Sequence, residues 1–220
     1  MEVFGQALLD FSRGDNEKFY LQDSKGKKSE QKLSKYFRNY KEFTNLERKI
    51  IFLSKGEILD VGCGTGQYIP HLMKKGKVLG IDISSKAIQA AKEKYNLKNV
   101  KVADIFNFKP SKKFDTIVLL ENNLGMAQTI PRTKKLLKIL SNHLNTSGQI
   151  LTDAHEVKGK NHDTVFNGEL RPVWKGKIGD KFMWINFNSG YLKELCEEMS
   201  LNLKVIGRNK TSYLAKITKK

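Results

Sequence analysis

The segment Glu57-Ile58-Leu59-Asp60-Val61-Gly62-Cys63-Gly64-Thr65-Gly66 constrains this chain more than any other. A short apolar run meets three glycines at alternate positions, and Tyr68, Ile69, Leu72 and Met73 follow at helical spacing. The pattern predicts a strand, a tight turn and a helix. Glycine suits such a turn because it adopts positive φ and lets a ligand lie against the backbone, while a helix N-terminus offers unpaired N–H groups. The junction is suited to a nucleotide-like ligand.

From Gly56 onward the two periodicities alternate. Strands are expected over 57–61, 77–82, 99–103, 114–121 and 148–154, with helices over 66–75, 84–95 and 130–145 between them. Ser84 or Ser85 and Thr129 stand at helix starts, with Pro131 in a first turn. Thr116-Ile117-Val118-Leu119-Leu120 is apolar on both faces, as in a parallel sheet covered on both sides. A helix from Ser189 to about 200 and strands over 201–208 and 212–218 close the chain, and their short link makes the last two antiparallel. This is a doubly wound α/β pattern.

The flanking segments are less regular. Residues 1–12 read as an amphipathic helix, and Arg13 to Glu30 as a mobile connection anchored by Phe19-Tyr20-Leu21. In 35–43 aromatics alternate with basic residues; this is read as the packing face of a helix, with a nucleic-acid grip as the other reading. Thr44-Asn45-Leu46-Glu47 has the form of a capping box. Residues 155–188 break the βα pattern and predict a hairpin or a pair of extra strands, with the turn in 175–180. Its aromatics Phe166, Trp174 and Trp184 would roof an acceptor pocket, pack on the sheet or form a subunit contact. The expected organisation is an N-terminal helical cap over 1–43 and one domain over 44–220, with 155–188 inserted on the substrate side.

Composition narrows the setting. The formal charge of +17 would attract nucleic acid or anionic surfaces, but the excess is almost all lysine spread along the chain. It is read as a solvated surface. Cys63 and Cys196 make no disulfide framework, which fits a reducing, cytoplasmic setting, and with four scattered histidines they give no zinc-type spacing. No apolar run approaches the length of a membrane helix, and no leader pattern opens the chain.

Gln67 stands where a dinucleotide fingerprint requires its third glycine, and no Gly-Lys-Ser/Thr tail follows as in a P-loop. Asp60-x-Gly62-x-Gly64-x-Gly66 strongly resembles motif I of the class I S-adenosylmethionine-dependent methyltransferases. Gly80-Ile81-Asp82-Ile83-Ser84, Val102-Ala103-Asp104-Ile105, Phe114-Asp115-Thr116-Ile117-Val118 and Thr146 to Asp153 are similar to the later strand motifs, in order. The resemblance implies a mostly parallel seven-stranded sheet with its last strand antiparallel and a β-hairpin inserted after the fifth strand. It also implies S-adenosyl-L-methionine as donor and S-adenosyl-L-homocysteine as product. Implied cofactor contacts are Asp60, Gly62, Cys63, Gly64, Gly66, Asp82 at the ribose, Ile83, Asp104 at the adenine amino group, Ile105 and Glu121. The methionine carboxylate would meet backbone donors of the glycine turn.

On the acceptor side, the strand tips offer Glu121, Asn122, Asn123, His155 and Glu156. The expected catalytic set is His155 as general base with Glu121 and Asn122. His71, His143 and His162 fall away from the tips, and Tyr36 and Tyr40 are candidates to close over the cofactor. Glu121-Asn122-Asn123-Leu124-Gly125 lacks the proline motif of base N-methylating relatives, which favours methyl transfer to O, N or S of a small molecule. The alternatives are an RNA or protein methyltransferase using the basic surface, and a non-catalytic cofactor-binding module.

Overall fold

The computed structural model describes residues 2–157, 164–166 and 168–220. The expected N-terminal helix is α1 (Glu2–Ser12), with Ala7, Leu8 and Leu9 buried. The stretch after it, expected as a mobile connection, instead contains a hairpin of β1 (Phe19–Asp23) and β2 (Lys28–Gln31). Two short 3-10 turns, Leu33–Phe37 and Tyr40–Glu42, replace the helix expected over 35–43, and Arg38 and Asn39 between them are extended. The capping box forms as expected. Thr44 Oγ1 accepts the Glu47 N–H and the Glu47 carboxylate accepts the Thr44 N–H, starting α2 (Asn45–Leu53).

The βα alternation then follows: β3 (Gly56–Val61), α3 (Ile69–Leu72), β4 (Gly76–Asp82), α4 (Ser85–Tyr95), β5 (Val100–Val102), β6 (Phe114–Leu119), α5 (Ile130–His143) and β7 (Leu144–His155). Past β7 come β8 (Thr164–Phe166), β9 (Leu170–Trp174), β10 (Lys177–Ile178), β11 (Ile185–Phe187), α6 (Ser189–Glu198), β12 (Leu201–Arg208) and β13 (Ser212–Lys219). The central sheet runs β12-β13-β7-β6-β3-β4-β5, and β13 is antiparallel to both neighbours. Alternate residues of the inner strands feed opposite layers. Ile117 and Ile150 pack with Leu136 and Leu192, whereas Val118 and Leu151 pack with Ile50 and Tyr68. No helix among the described residues is long and apolar enough to cross a membrane.

Three boundaries moved. The helix after the glycine turn is only α3, four residues with Pro70 inside it, where a missing N–H limits helical bonding. Strand β6 stops at Leu119 because Glu121 and Asn122 adopt positive φ. Strand β7 begins at Leu144, earlier than expected.

The insertion also differs from a simple hairpin. Its β9–β10 turn at Lys175-Gly176 lies in the expected region, both residues having positive φ. Strand β9 also pairs antiparallel with β1, giving a second sheet ordered β10-β9-β1-β2. The N-terminal segment and the insertion, expected as separate units, therefore share one sheet. Strands β8 and β11 form a further antiparallel pair.

Thr44→Ala removes the α2 cap and should lower unfolding free energy by about 1 kcal/mol. Urea titration should show a lower midpoint with an unchanged slope.

Candidate active site

Five neighbouring strands carry a carboxylate at or just beyond their C-terminal ends. These are Asp153 in β7, Glu121 after β6, Asp60 in β3, Asp82 in β4 and Asp104 after β5. They stand side by side along the edge where ligands bind in sheets of this kind.

The glycine turn is shaped by its neighbours. At Gly62 (φ +71°) an added Cβ would come within 2.7 Å of Asn123 Nδ2, while at Gly64 (φ +53°) it would meet nothing within 4 Å. Asn123 Nδ2 donates to the Gly62 carbonyl at 2.8 Å, tying the turn to the β6 tip. Gly64 thus leaves an open face on a turn held from behind. Four of the turn's donors are committed: Gly62 and Cys63 N–H to the Ile81 carbonyl, Gly66 N–H to the Cys63 carbonyl, and Gly64 N–H to Asp82 Oδ2. The helix N-terminus expected behind them does not form, since α3 starts only at Ile69.

Asp60 is 1% exposed and its Oδ2 has no hydrogen-bond partner. Burial, with Asp82 nearby, pushes its carboxyl up to about 7. Asp82 accepts the Gly64 and Ser84 N–H groups at 2.9 Å each. Burial still raises its pKa, against backbone donors from Ser84, Gly64 and Ile83. Beside it Ile83 is 53% exposed, an apolar surface at the sheet edge. Ile105, expected as a contact, is instead packed in the core, and Cys63 is buried against Ile69 and Ile88. Asp104 accepts the Phe106 N–H and the Asn107 amide.

At the β6 tip Glu121 (φ +58°) and Asn122 (φ +60°) are consecutive left-handed residues, a costly conformation for side chains with a Cβ. Surrounding bonds hold it. Asn122 Nδ2 donates to Asn186 Oδ1 at 2.6 Å, and its carbonyl accepts Trp184 Nε1 at 3.1 Å. Glu121 Oε1 receives Arg38 at 2.5 Å and Gln67 Nε2 at 3.1 Å, and the Tyr68 hydroxyl lies 3.0 Å away. Arg38 also reaches Glu47 at 2.6 and 3.2 Å, and the Tyr68 hydroxyl is 2.5 Å from Glu47 Oε1.

These bonds divide the carboxylates. Burial works against Glu47, but Arg38, Tyr68 and the Thr44 N–H hold it below the usual range. Burial raises Glu121 despite Arg38 and Tyr68. Burial, then Glu47 and Glu121, pushes Asp153 up to about 7, and its Oδ1 has no partner.

Of the expected catalytic set, Glu121 and Asn122 stand together at the β6 tip and His155 lies apart. His155 is exposed, its Nδ1 3.1 Å from Ser212 Oγ on β13, outside the Glu121 network. Glu156 accepts the Ser189 N–H and pairs with Arg208. Trp174 is buried against α1 and donates to Asp10, so it roofs nothing, whereas Trp184 sits against Gly125 at the β6 tip. The Tyr36 carbonyl accepts the Thr65 hydroxyl beside the glycine turn; Tyr40 stacks on His71. His162 lies outside the described residues. Sequence reasoning missed Arg38, Gln67, Tyr68 and Asp153, and gave Glu47 only a capping role. No periodicity marks these residues; the aromatic-basic stretch around Arg38 was visible, but not its partners.

Known proteins share this architecture. A family model described as "Methyltransferase domain" matches residues 53–206. A putative methyltransferase of Invertebrate iridescent virus 6 is 30% identical over 162 residues, 71% of this chain and 57% of the relative. The chain thus spans little more than half of that relative's length. A malonyl-acyl-carrier-protein O-methyltransferase of Ilyobacter polytropus is 31% identical over 195 residues, 82% of this chain and 70% of the relative. A Bacteroides fragilis methyltransferase solved with S-adenosyl-L-homocysteine superposes with a TM-score of 0.88 at 24% identity, covering 99% of this chain and 94% of that one.

The raised Asp60 carboxyl gives a testable pH dependence. Folded Asp60 keeps its proton up to about pH 7 and unfolded Asp60 only to about pH 4, so its contribution to stability falls as pH rises across that window. Asp60→Asn should melt at least ~2–4 °C above the parent at about pH 8, with the difference shrinking toward about pH 4. Equal or lower stability at the higher pH would contradict the assignment.

Proposed function

We propose that this chain, which belongs to the class I S-adenosylmethionine-dependent methyltransferase family, holds that donor across the tips of β3, β4 and β5 and methylates a small-molecule acceptor at the tip of β6. The observation that carries this reading is Asp60: a buried carboxylate oxygen without a partner, beside an open glycine face, fits the cationic amino group of a methionine moiety. The Asp82 oxygens accept the Gly64 and Ser84 N–H groups and keep lone pairs for the ribose hydroxyls. Ile83 offers an apolar face to the adenine ring, and Asp104 an acceptor for its amino group.

The bound donor would supply an electrophilic methyl group, leaving S-adenosyl-L-homocysteine. The chain's own contribution is orientation and exclusion of water. Asn123 fixes the glycine turn relative to the β6 tip, and Glu121 there is the group able to accept a proton from an acceptor that arrives protonated. His155, turned toward Ser212, has no part in this reading. A small acceptor agrees with the missing proline motif after β6 and with the malonyl group in the Ilyobacter relative's name.

S-adenosyl-L-homocysteine at about 100-fold over its Kd should stabilise the protein by ~2.7 kcal/mol, raising Tm by roughly 5–10 °C. Asp82→Ala should remove most of that shift. No shift with either S-adenosylmethionine or S-adenosyl-L-homocysteine at millimolar concentration would refute the reading.

A further inference from the structure

We propose that the methyl acceptor is an amine, and that Glu121 binds its ammonium form and takes its proton. The inference rests on the donor site described above. Of the five strand-tip carboxylates, Asp60, Asp82 and Asp104 have partners on that donor, whereas Glu121 and Asp153, on the two strands beyond it, have none.

Their surroundings hold more carboxylates than cations. Glu47 and Glu121 share the single guanidinium of Arg38. Asp153 lies close enough for both to raise its pKa, and its buried Oδ1 has no hydrogen-bond partner. Lys35 also lies near Glu121 and Arg38, with its ammonium 4.9 Å from the Tyr36 ring centre. Two cations thus face three carboxylates in a protein whose formal charge is +17. A carboxylate-rich cluster here is a local construction and not a result of composition. Glu121 remains reachable, its side chain 25% exposed, while the Arg38 side chain is 18% exposed.

This environment separates acceptor classes. A carboxylate acceptor would meet like charge at Glu121. An alkyl hydroxyl is too weakly acidic for a carboxylate to deprotonate appreciably, whereas an ammonium of pKa about 10 is several units more acidic, and burial makes Glu121 a stronger proton acceptor than an ordinary carboxylate. In the step, the ammonium gives one proton to Glu121. The freed nitrogen lone pair forms the N–C bond as the C–S bond breaks, with the bonding pair staying on sulfur. The N-methylammonium product departs and Glu121 returns its proton to water.

The test compares two ligands of one protein by calorimetry at about pH 7.5. S-adenosyl-L-homocysteine is uncharged at sulfur; sinefungin carries an ammonium group where the donor carries its methyl. The wild type should bind sinefungin at least ~10-fold tighter, and this ratio should fall toward one in Glu121→Gln, with Asp153→Asn lowering it in part. Circular dichroism confirms that each variant is folded. Binding of S-adenosyl-L-homocysteine without preference for sinefungin overturns the amine proposal alone; binding of neither overturns the donor site too. A second arm incubates the protein with labelled donor and a small-molecule extract. Label retained on a cation exchanger and stable to alkali supports an N-methyl product, whereas label released as methanol or recovered in neutral or anionic products overturns it. If no product forms, the affinity ratio decides.

Discussion

Arg38 is the point through which the site is held together. Its guanidinium bonds to Glu47 on α2 and to Glu121 after β6, and its backbone N–H bonds to Gln67 behind the glycine turn. A charge on a segment outside the central sheet thus fixes three elements that the sheet alone leaves independent. Buried charges of this kind are costly unless each is matched, which Glu47 achieves through Arg38, Tyr68 and its own helix cap. Glu121 shares the same partners less fully and remains the more basic carboxylate. Two glutamates on one arginine become, by this asymmetry, one structural anion and one chemical group.

The left-handed pair Glu121-Asn122 has a related logic. An ordinary strand exit would continue the pleat and alternate these side chains across the sheet. The positive φ values instead end β6 abruptly, and bonds from Asn186 and Trp184 hold Asn122 in place. The insertion after β7, which supplies Asn186 and Trp184, is therefore part of what holds the β6 tip.

Legibility in the sequence followed the range of the interactions. The central strands, the Thr44 cap and the closing antiparallel pair could be read because each is specified by residues close in the chain. Asp60, Asp82 and the glycine turn were legible for the same reason. The β1–β2 hairpin was not, since β1 is held by pairing with the distant β9 and by packing of Phe19 against α1. His155 looked like a base because it ends a strand, but the β13 neighbour that takes its ring could not be seen from local pattern. Likewise Arg38 and Asp153 acquire their roles only when distant segments meet around Glu121.

The β10-β9-β1-β2 sheet has a consequence for assembly. Strands β3 to β7 contain the whole parallel core and can pair before the chain beyond β7 exists. Strand β1, although it precedes the parallel core, has no β9 until the insertion after β7 has been synthesised. It is therefore made before the core strands and paired after them, and the length of loop closed makes that step slow. A nascent chain would hold a formed parallel sheet with its acidic edge uncovered, and the cover would arrive only with the insertion.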